Sequence, residues 1–498
     1  RPVKATAPHR AVGSDQFDLR PIFLVVGVLL TTLAVFMVPS MIADLVVGNR
    51  DWIVFLLAGS VTLFVGVSLI LGNRRAAVTT IGTRQAFILT TSVWVTLTVF
   101  ASLPFVYAEL DMRPVDAFFE AMSGITTTGS TVMTGLDTAP PGILLWRSVL
   151  QWLGGIGIIV MGVAVLPLLS VGGMQLFRTE SSDRSDKIFA RAGQLASAIG
   201  LVYFVFTLAC GVAYWAGGMN LFDAANHAMT TVATGGYSTR DGSIGAFDSE
   251  LIEWAAVFFM LTGSIPFVLY IQALNGEPGT LARDVQVRWF AGIVLGAWAL
   301  LTFDLVTTDE IAPVDALRHA AFNATAVITG TGYTSADYNA WGALPVAFFF
   351  FLMCVGGCTG STTGGIKVFR FAVLYAIART QVLRLIQPSG VILPTYQGRP
   401  LSDAAAISVM AFFFLFALSF SVLTLALSFV GLDYLTAMSA SISALANVGP
   451  GLGATIGPAH HYGDLPDAAK WLLAAGMLLG RLELFTILVL FTPAFWRR

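Results

Sequence analysis

Four short stretches rich in glycine and threonine are the part of this sequence best suited to bind an ion. They read ITTTGS over 125–130, VATGGYS over 232–238, TGTGYT over 329–334 and ANVGPGLG over 446–453. Glycine has no Cβ, so its backbone can aim carbonyl oxygens inward, and a ring of carbonyls can replace the hydration shell of a potassium ion. None of the four stretches contains an acidic residue. They therefore predict a site for a monovalent rather than a divalent cation.

The four stretches belong to an internal repeat, because each follows a short segment that begins alike. These segments open near Asp116, Asp223, Asp315 and Asp433, which lie 12 to 17 residues before the glycine of their own stretch. An Asp at a helix start caps free N–H groups and complements the positive end of the helix dipole. We expect four short helices that enter a membrane without crossing it and direct their negative ends at one axis. The alternative, that the glycines only allow close helix packing, explains one stretch more easily than four in register.

The composition places these elements in a membrane. Of 498 residues, 56% are hydrophobic and 11% are charged, whereas a soluble domain has about 25% charged residues. The net charge of -2 excludes a nucleic-acid-binding surface of the usual basic kind. A span needs about 20 apolar residues, and ten segments qualify: 21–47, 52–72, 84–108, 142–170, 189–217, 250–274, 286–306, 343–386 (interrupted), 402–431 and 466–495.

The distribution of charge predicts the orientation. With ten spans, most of the 27 lysines and arginines lie on the side of both termini, and most of the 29 acidic residues lie on the other side. The positive-inside rule makes the basic side cytoplasmic. The four stretches then lie on the outer side, where an acidic surface would concentrate cations; the alternative is that the acidic residues only keep that surface soluble.

The segment 343–386 is interrupted by GGCTGSTTGG over 356–365. Five glycines in ten residues disfavour a helix by about 1 kcal/mol each, so we expect irregular backbone that lines a cavity within the membrane. A phosphate-binding loop is excluded, because Lys367 does not directly follow a glycine and no Ser or Thr comes after it. Cys354 and Cys358 lack a histidine partner and are better explained as small buried side chains than as a metal pair.

Arg481 lies in the middle of the last apolar segment. A central arginine costs about 2.5–3.5 kcal/mol on membrane-insertion scales, so such residues usually face a cavity. Glu483 is close in sequence, but residues i and i+2 do not share a helix face. Two explanations remain open, a charge at the ion pathway and a structural ion pair with another helix.

The four stretches, their spacing and the ending GRLELF…FW over 480–496 resemble the TrkH-type potassium transporters of the Trk/Ktr/HKT superfamily. The resemblance implies an all-α integral membrane protein, with four M1–pore-helix–M2 repeats around a pseudo-fourfold pore and two extra N-terminal helices. Residues 1–82 would hold the tail and the extra helices. The repeats would occupy 83–180, 181–280, 281–395 and 396–498.

The resemblance also implies the site. One glycine of each loop would belong to a potassium selectivity filter: Gly129, Gly235, Gly332 and Gly449. The whole predicted filter is Thr127, Thr128, Gly129, Ala233, Thr234, Gly235, Gly330, Thr331, Gly332, Asn447, Val448 and Gly449. The glycine-rich interruption would act as a gate beneath the filter, with Arg481 beside it as an electrostatic barrier. The predicted gate residues are Gly356, Gly357, Gly360, Gly364, Gly365, Lys367 and Arg481.

The expected function is potassium uptake. We expect no enzymatic site, and no cofactor other than the transported potassium ion. The resemblance implies a homodimer in the bacterial cytoplasmic (inner) membrane, surrounded by membrane lipid, with both termini cytoplasmic and a TrkA-type nucleotide-binding regulatory subunit as partner. Two alternatives stay open: the potassium-binding subunit of an ATP-driven pump, and a membrane enzyme with an intramembrane site.

Overall fold

The computed structural model describes residues 18–75, 82–164, 185–308 and 310–497. Within these ranges the chain is built from helices, apart from irregular connections and a hairpin that pairs Thr395–Tyr396 with Arg399–Pro400. The helices are α1 Arg20–Val47, α2 Trp52–Asn73, α3 Thr83–Ala101, α4 Leu103–Tyr107, α5 Pro114–Ile125, α6 Pro141–Ala164, α7 Ser185–Ala216, α8 Leu221–Val232, α9 Glu250–Gly263, α10 Phe267–Leu274, α11 Gly279–Arg283, α12 Val285–Thr308, α13 Pro313–Ile328, α14 Ala343–Val355, α15 Val368–Ile386, α16 Asp403–Phe429, α17 Tyr434–Ala446, α18 Asp467–Arg481, α19 Phe485–Leu488 and α20 Pro493–Trp496. The predicted all-α fold is confirmed.

Seven stretches of the described chain are long and apolar enough to cross a membrane: Arg20–Val47, Trp52–Asn73, Thr83–Tyr107, Pro141–Met161, Gly193–Ala216, Val285–Thr308 and Asp403–Phe429. Their outward faces carry large exposed apolar side chains such as Phe64, Phe303 and Phe429. A surface of this kind is stable against lipid rather than water. The end of the predicted segment 142–170 lies outside the described residues.

Two predicted segments are not continuous helices. Between α9 and α10 the axis turns by 90°, and between α18 and the helical turns that follow it turns by 107°. Pro266 explains the first turn, because proline has no N–H to donate and disfavours helical backbone in the residue before it. At the second turn Glu483 and Leu484 have left-handed backbone, with φ of 62° and 47°. The expected interruption of 343–386 is present, between α14 and α15.

Four short helices, α5, α8, α13 and α17, are the predicted re-entrant helices, and nearly all residues in their C-terminal halves are buried. The capping prediction holds for Asp433, whose carboxylate accepts from Thr436 N at 3.1 Å. In α8 the capping residue is Asn220, which accepts from Asp223 N at 2.8 Å. Asp116 and Asp315 stand in the first turn of their helices and pair with arginines. At the starts of these two helices the Asp forms an ion pair instead of a cap, and its negative charge still complements the helix dipole.

The two N-terminal helices attach to the outside of the first repeat. α1 packs along α2 and against α6. Gly27 and Gly66 face each other at the crossing, where a Cβ on Gly27 would lie 2.8 Å from Gly66 O. Small residues allow such close helix approach. The helix pair α1 and α2 therefore lies beside the bundle that carries the loops.

Candidate functional site

The four glycine–threonine loops share one backbone pattern. In each, two residues separated by a single residue have left-handed φ, between 50° and 110°. These pairs are Thr127 and Gly129, Thr234 and Gly236, Gly330 and Gly332, and Asn447 and Gly449. We number the loop positions so that the first residue of each pair is position 2 and the second is position 4. Position 3, between them, is Thr128, Gly235, Thr331 or Val448.

This numbering changes the expected register of the second loop. The sequence prediction matched Gly235 to Gly129, Gly332 and Gly449. The backbone instead gives Gly236 the left-handed conformation, with φ of 78°, and puts Gly235 at position 3. Two adjacent glycines are indistinguishable by residue type, so the sequence could not tell which of them takes the conformation that favours glycine.

The loops contact one another in a closed ring. A Cβ built on the position-4 glycine of each loop would overlap or press on the position-3 carbonyl oxygen of the next loop. The pairs are Gly129 with Gly235 O, Gly236 with Thr331 O, Gly332 with Val448 O, and Gly449 with Thr128 O. The order is therefore first, second, third, fourth and back to the first. Four backbones that meet in this way must surround a common axis.

The predicted filter residues are all brought to this ring, and nearly all their side chains are buried. The carbonyl of Gly449 is committed to the protein, because Gly449 O accepts from the hydroxyls of Ser130 at 2.7 Å, Ser443 at 2.9 Å and Tyr462 at 2.9 Å. Thr127 Oγ1, in contrast, is buried and has no hydrogen-bond partner among the described residues. Buried polar atoms are nearly always satisfied, so this oxygen is a candidate ligand for an ion or water.

A buried ion pair behind the ring was not anticipated from the sequence. Arg147 in α6 bonds Glu120 in α5 at 2.8 Å and donates to Ser238 O at 2.8 Å. Its guanidinium also lies 4.0 Å from the centre of the Tyr237 ring. Both charged side chains are buried, so removing either would leave the other uncompensated. The signal was available, since an arginine inside an apolar span seldom lies there without a partner.

The glycine-rich segment Gly356–Gly365 lies against the inner ends of the loops. The hydroxyl proton of Thr362 Oγ1 is shared between two carbonyl acceptors, Val232 O at 3.2 Å and Gly263 O at 2.9 Å, and the same oxygen accepts from Thr234 Oγ1 at 3.0 Å. On the other side, a Cβ on Gly364 would lie 2.5 Å from Ala446 O, at the end of α17. The segment thus contacts the second and fourth loops.

The bend between α9 and α10 receives the same segment. Cys358 N donates to Ser264 O at 3.0 Å, and Thr362 N donates to Gly263 O at 3.2 Å. In return, Phe267 N donates to Gly360 O at 3.0 Å. A bent helix leaves backbone groups without intrahelical partners. Here the irregular segment satisfies them, so the two breaks are one structural unit.

Charged residues bind the segment to the bend after α18. Lys367 Nζ lies 2.9 Å from Glu483 Oε1, and Arg370 pairs with the other carboxylate oxygen of Glu483. Arg481 donates to Thr362 O at 3.1 Å and to Gly154 O at 3.4 Å. In the described part of the chain no carboxylate pairs with Arg481, so the expectation that Arg481 and Glu483 do not neutralise each other holds. Arg481 has carbonyl acceptors on the glycine-rich segment and on α6 instead of an ionic partner.

Comparison with known proteins gives consistent similarities over almost the whole chain. The TrkH family, described as cation transport protein, matches residues 54–498. The chain is 47% identical to the Trk system potassium uptake protein TrkI of Halomonas elongata over 479 residues, which cover 96% of this chain and 97% of that protein. It is 40% identical over 486 residues to TrkH of the same organism, covering 97% and 100% of the two chains. The crystal structure of the potassium transporter TrkH from Vibrio parahaemolyticus has a TM-score of 0.89 at 36% identity and covers 97% of this chain and 100% of that one.

Proposed function

This chain belongs to the TrkH family of cation transport proteins, and from this premise we propose that it takes up potassium through a filter formed by the four-loop ring. The resemblance seen in the sequence is thereby confirmed, and the chain is a membrane transporter rather than an enzyme. Potassium is its transported ion, as in the uptake proteins that it resembles. The pump-subunit and membrane-enzyme alternatives have no observation in their favour.

The observation that carries the filter proposal is the closed ring of position-3 carbonyls and position-4 glycines. The negative C-terminal ends of α5, α8, α13 and α17 lead directly into the four loops. Carbonyl dipoles and helix ends together favour a cation over an anion. The proposed ligands are carbonyl and hydroxyl oxygens of positions 1 to 3, namely Thr126, Thr127, Thr128, Ala233, Thr234, Gly235, Thr329, Gly330, Thr331, Ala446, Asn447 and Val448.

Ion flux into liposomes tests the filter. The purified chain, without ATP, is expected to carry potassium and rubidium in preference to sodium, and protein-free liposomes serve as the control. Flux that requires ATP would point to a pump subunit. Equal flux of potassium and sodium would contradict the proposed filter.

We further propose that Gly356–Gly365 gates the pathway. Its hydrogen bonds to the second loop, to the bend after α9 and to Arg481 support this role, because they hold an irregular segment across the inner ends of the loops. Arg481 adds a fixed positive charge that repels a cation passing beneath the filter.

The cellular setting is proposed in the same way. The relatives are named as proteins of a Trk system, and we propose a homodimer in the bacterial inner membrane with a cytoplasmic TrkA-type nucleotide-binding subunit. Both termini would be cytoplasmic, in accord with the positive-inside rule. Labelling of single cysteines placed near residue 18 and near residue 497 with a membrane-impermeant reagent checks the orientation. Labelling from outside intact cells would contradict it.

A further inference from the structure

The second loop lacks a side chain that the other three loops have at position 3. Thr128 Oγ1 bonds Thr126 Oγ1 at 2.7 Å and accepts from Asn447 Nδ2 at 2.9 Å. Thr331 Oγ1 bonds Thr329 Oγ1 at 2.7 Å, and Val448 fills the same position in the fourth loop with an apolar side chain. In the second loop this position is Gly235, which has no side chain to fill the space or to form a hydrogen bond.

Gln151 occupies the space where the side chain of Gly235 would be. It lies in α6, within the first repeat, and is 0% exposed. A Cβ built on Gly235 would overlap the Gln151 amide group and lie 2.8 Å from its Nε2. The side chain comes from a different repeat but reaches the position that Thr128 and Thr331 fill in their own loops.

The Gln151 amide makes two hydrogen bonds to the second loop. Nε2 donates to Gly235 O at 2.6 Å, and Oε1 accepts from Tyr237 N at 3.0 Å. The orientation of the amide is fixed by its partners, because a carbonyl oxygen only accepts and a backbone N–H only donates. An apolar side chain of similar size could fill the space but could make neither bond. A buried glutamine without partners would be costly, so both bonds favour this residue type.

We propose that Gln151 is a positioning residue for potassium selectivity, which supplies in trans the support that Gly235 lacks. The inference rests on the proposed filter function. Gly235 O is the position-3 carbonyl that faces Gly129 in the first loop, so Gln151 fixes the joint between the first and second loops. Its N–H also withdraws charge from that carbonyl. Because the field strength of filter carbonyls affects discrimination between potassium and sodium, the hydrogen bond reduces the preference of this oxygen for the smaller ion.

Gln151→Leu tests the hydrogen bonds while keeping the space filled. We expect the sodium-to-potassium flux ratio in liposomes to rise by about fivefold, the effect of losing one hydrogen bond of ordinary strength, namely the bond from Nε2 to the position-3 carbonyl Gly235 O. Gln286→Leu is the matched control. Gln286 is also a buried glutamine in a spanning helix, but its Oε1 accepts from Thr359 N at 2.9 Å, away from the ring. This variant should keep the wild-type ratio, whatever its total flux.

A swap of side chains separates positioning from general stability. Gly235→Thr alone should lose selective flux, because the new threonine side chain would overlap Gln151. Gln151→Ala alone should lose selectivity, because Gly235 then lacks the hydrogen bond and the packing that Gln151 provides. The double variant Gln151→Ala with Gly235→Thr places threonine at position 3, as in the first and third loops. The backbone of Gly235 is not left-handed, so threonine can adopt it. We expect the double variant to recover at least part of the wild-type potassium preference.

Two results would overturn the inference. One is an unchanged ion ratio in Gln151→Leu protein that keeps its melting temperature. The other is additive loss in the double variant, without rescue. If the wild-type chain itself shows no preference for potassium, the proposed function fails as well, so the wild-type measurement distinguishes the two failures.

Discussion

At the scale of single residues, the ring depends on backbone that most side chains avoid. Three of its four position-2 residues, Thr127, Thr234 and Asn447, have left-handed φ without being glycine. Each such residue costs about 1–2 kcal/mol, and the cost persists only where neighbouring contacts determine the conformation. Asn447 shows such contacts, since its Nδ2 donates to Thr128 Oγ1 at 2.9 Å and to Met477 O at 3.0 Å.

The contact of each position-4 glycine with the next loop can be tested at Gly129. Gly129→Ser adds a Cβ that overlaps Gly235 O, at a residue with φ of 87°. We expect the sodium-to-potassium flux ratio to rise by about fivefold or more, which corresponds to ~1 kcal/mol of lost discrimination. Gly135→Ser is the matched control, because Gly135 also has left-handed backbone but only Thr138 Oγ1 lies near, at 3.8 Å. An equal change of the ratio in both variants would show that backbone strain, rather than the ring contact, is responsible.

Arg481 makes a second prediction at this scale. Arg481→Ala removes a positive charge beneath the loops and two donors to Thr362 O and Gly154 O. Basal potassium flux should rise, and Arg481→Lys should raise it less, because the charge remains while the planar guanidinium is lost. Flux and melting temperature are measured together in liposomes and in detergent.

Arg370→Ala provides the comparison for Arg481. It breaks the buried pair with Glu483 but leaves the pair of Glu483 with Lys367, so the cost lies toward the lower end of the about 3–5 kcal/mol for breaking a buried pair. We therefore expect a larger fall in melting temperature for Arg370→Ala than for Arg481→Ala. An Arg481→Ala protein that is the less stable of the two and carries less potassium would refute the barrier role.

At the scale of elements, three interrupted helices share one set of contacts. The segment between α14 and α15 bonds the bend after α9, and Lys367 and Arg370 bind Glu483 at the bend after α18. Each break exposes backbone groups that a membrane cannot hydrate. The first two breaks satisfy backbone groups of one another, and ion pairs attach the third break to them.

The prediction for these three connected breaks concerns Thr362. Thr362→Val keeps the shape of the side chain but removes its hydrogen bonds to Val232 O, Gly263 O and Thr234 Oγ1. With the segment held less tightly to the second loop, potassium flux without a regulatory partner should increase. Thr359→Val is the control, because Thr359 Oγ1 is buried without a hydrogen-bond partner in the described ranges, and its flux should stay at the wild-type level. Unchanged flux in Thr362→Val would argue against the segment as a barrier.

At the scale of the whole molecule, ion pairs join the first repeat to the last. Asp116 at the start of α5 binds Arg113 at 2.8 Å and also the buried Lys470 of α18. Arg113 in turn lies 2.8 Å from Asp467. The starts of α5 and α18 therefore join the first and last repeats through side chains, in addition to the contact between their loop backbones. Burial alone would raise the pKa of Asp116, but hydrogen bonds and positive charge from Lys470 and Arg113 outweigh it and hold the pKa below its ordinary value of 3.8.

This closure predicts a dependence of stability on pH. Since folding lowers the pKa of Asp116, its contribution is present above pH 3.8 and is lost as the pH falls through the lower value of the folded state. Asp116→Asn should lower the melting temperature at pH 7 and flatten its fall below pH 4. Asp467→Asn, which removes a half-exposed partner, should have a smaller effect, as exposed pairs contribute about 0–1 kcal/mol. Equal effects of the two variants would contradict the central role of Asp116.

The sequence by itself determined the features that depend on local composition. Apolar length located the spanning segments, the repeated Asp-to-glycine spacing located the four short helices, and the run of glycines marked the interruption of 343–386. These signals are local, because helix length, capping and glycine propensity act over a few neighbouring residues. They were sufficient for the fold class and the family.

The tertiary structure decided everything that depends on partners distant in the chain. It chose Gly236 over Gly235 for the left-handed position, brought Gln151 to Gly235 from 84 residues away and paired Glu483 with Lys367 and Arg370. Pro266 signalled a bend, but only the hydrogen bonds of the glycine-rich segment explain why that bend is stable. In a membrane every buried backbone N–H and C=O group needs a hydrogen-bond partner. The sequence shows where helices are interrupted and such groups become free, but it does not show which distant residues bind them.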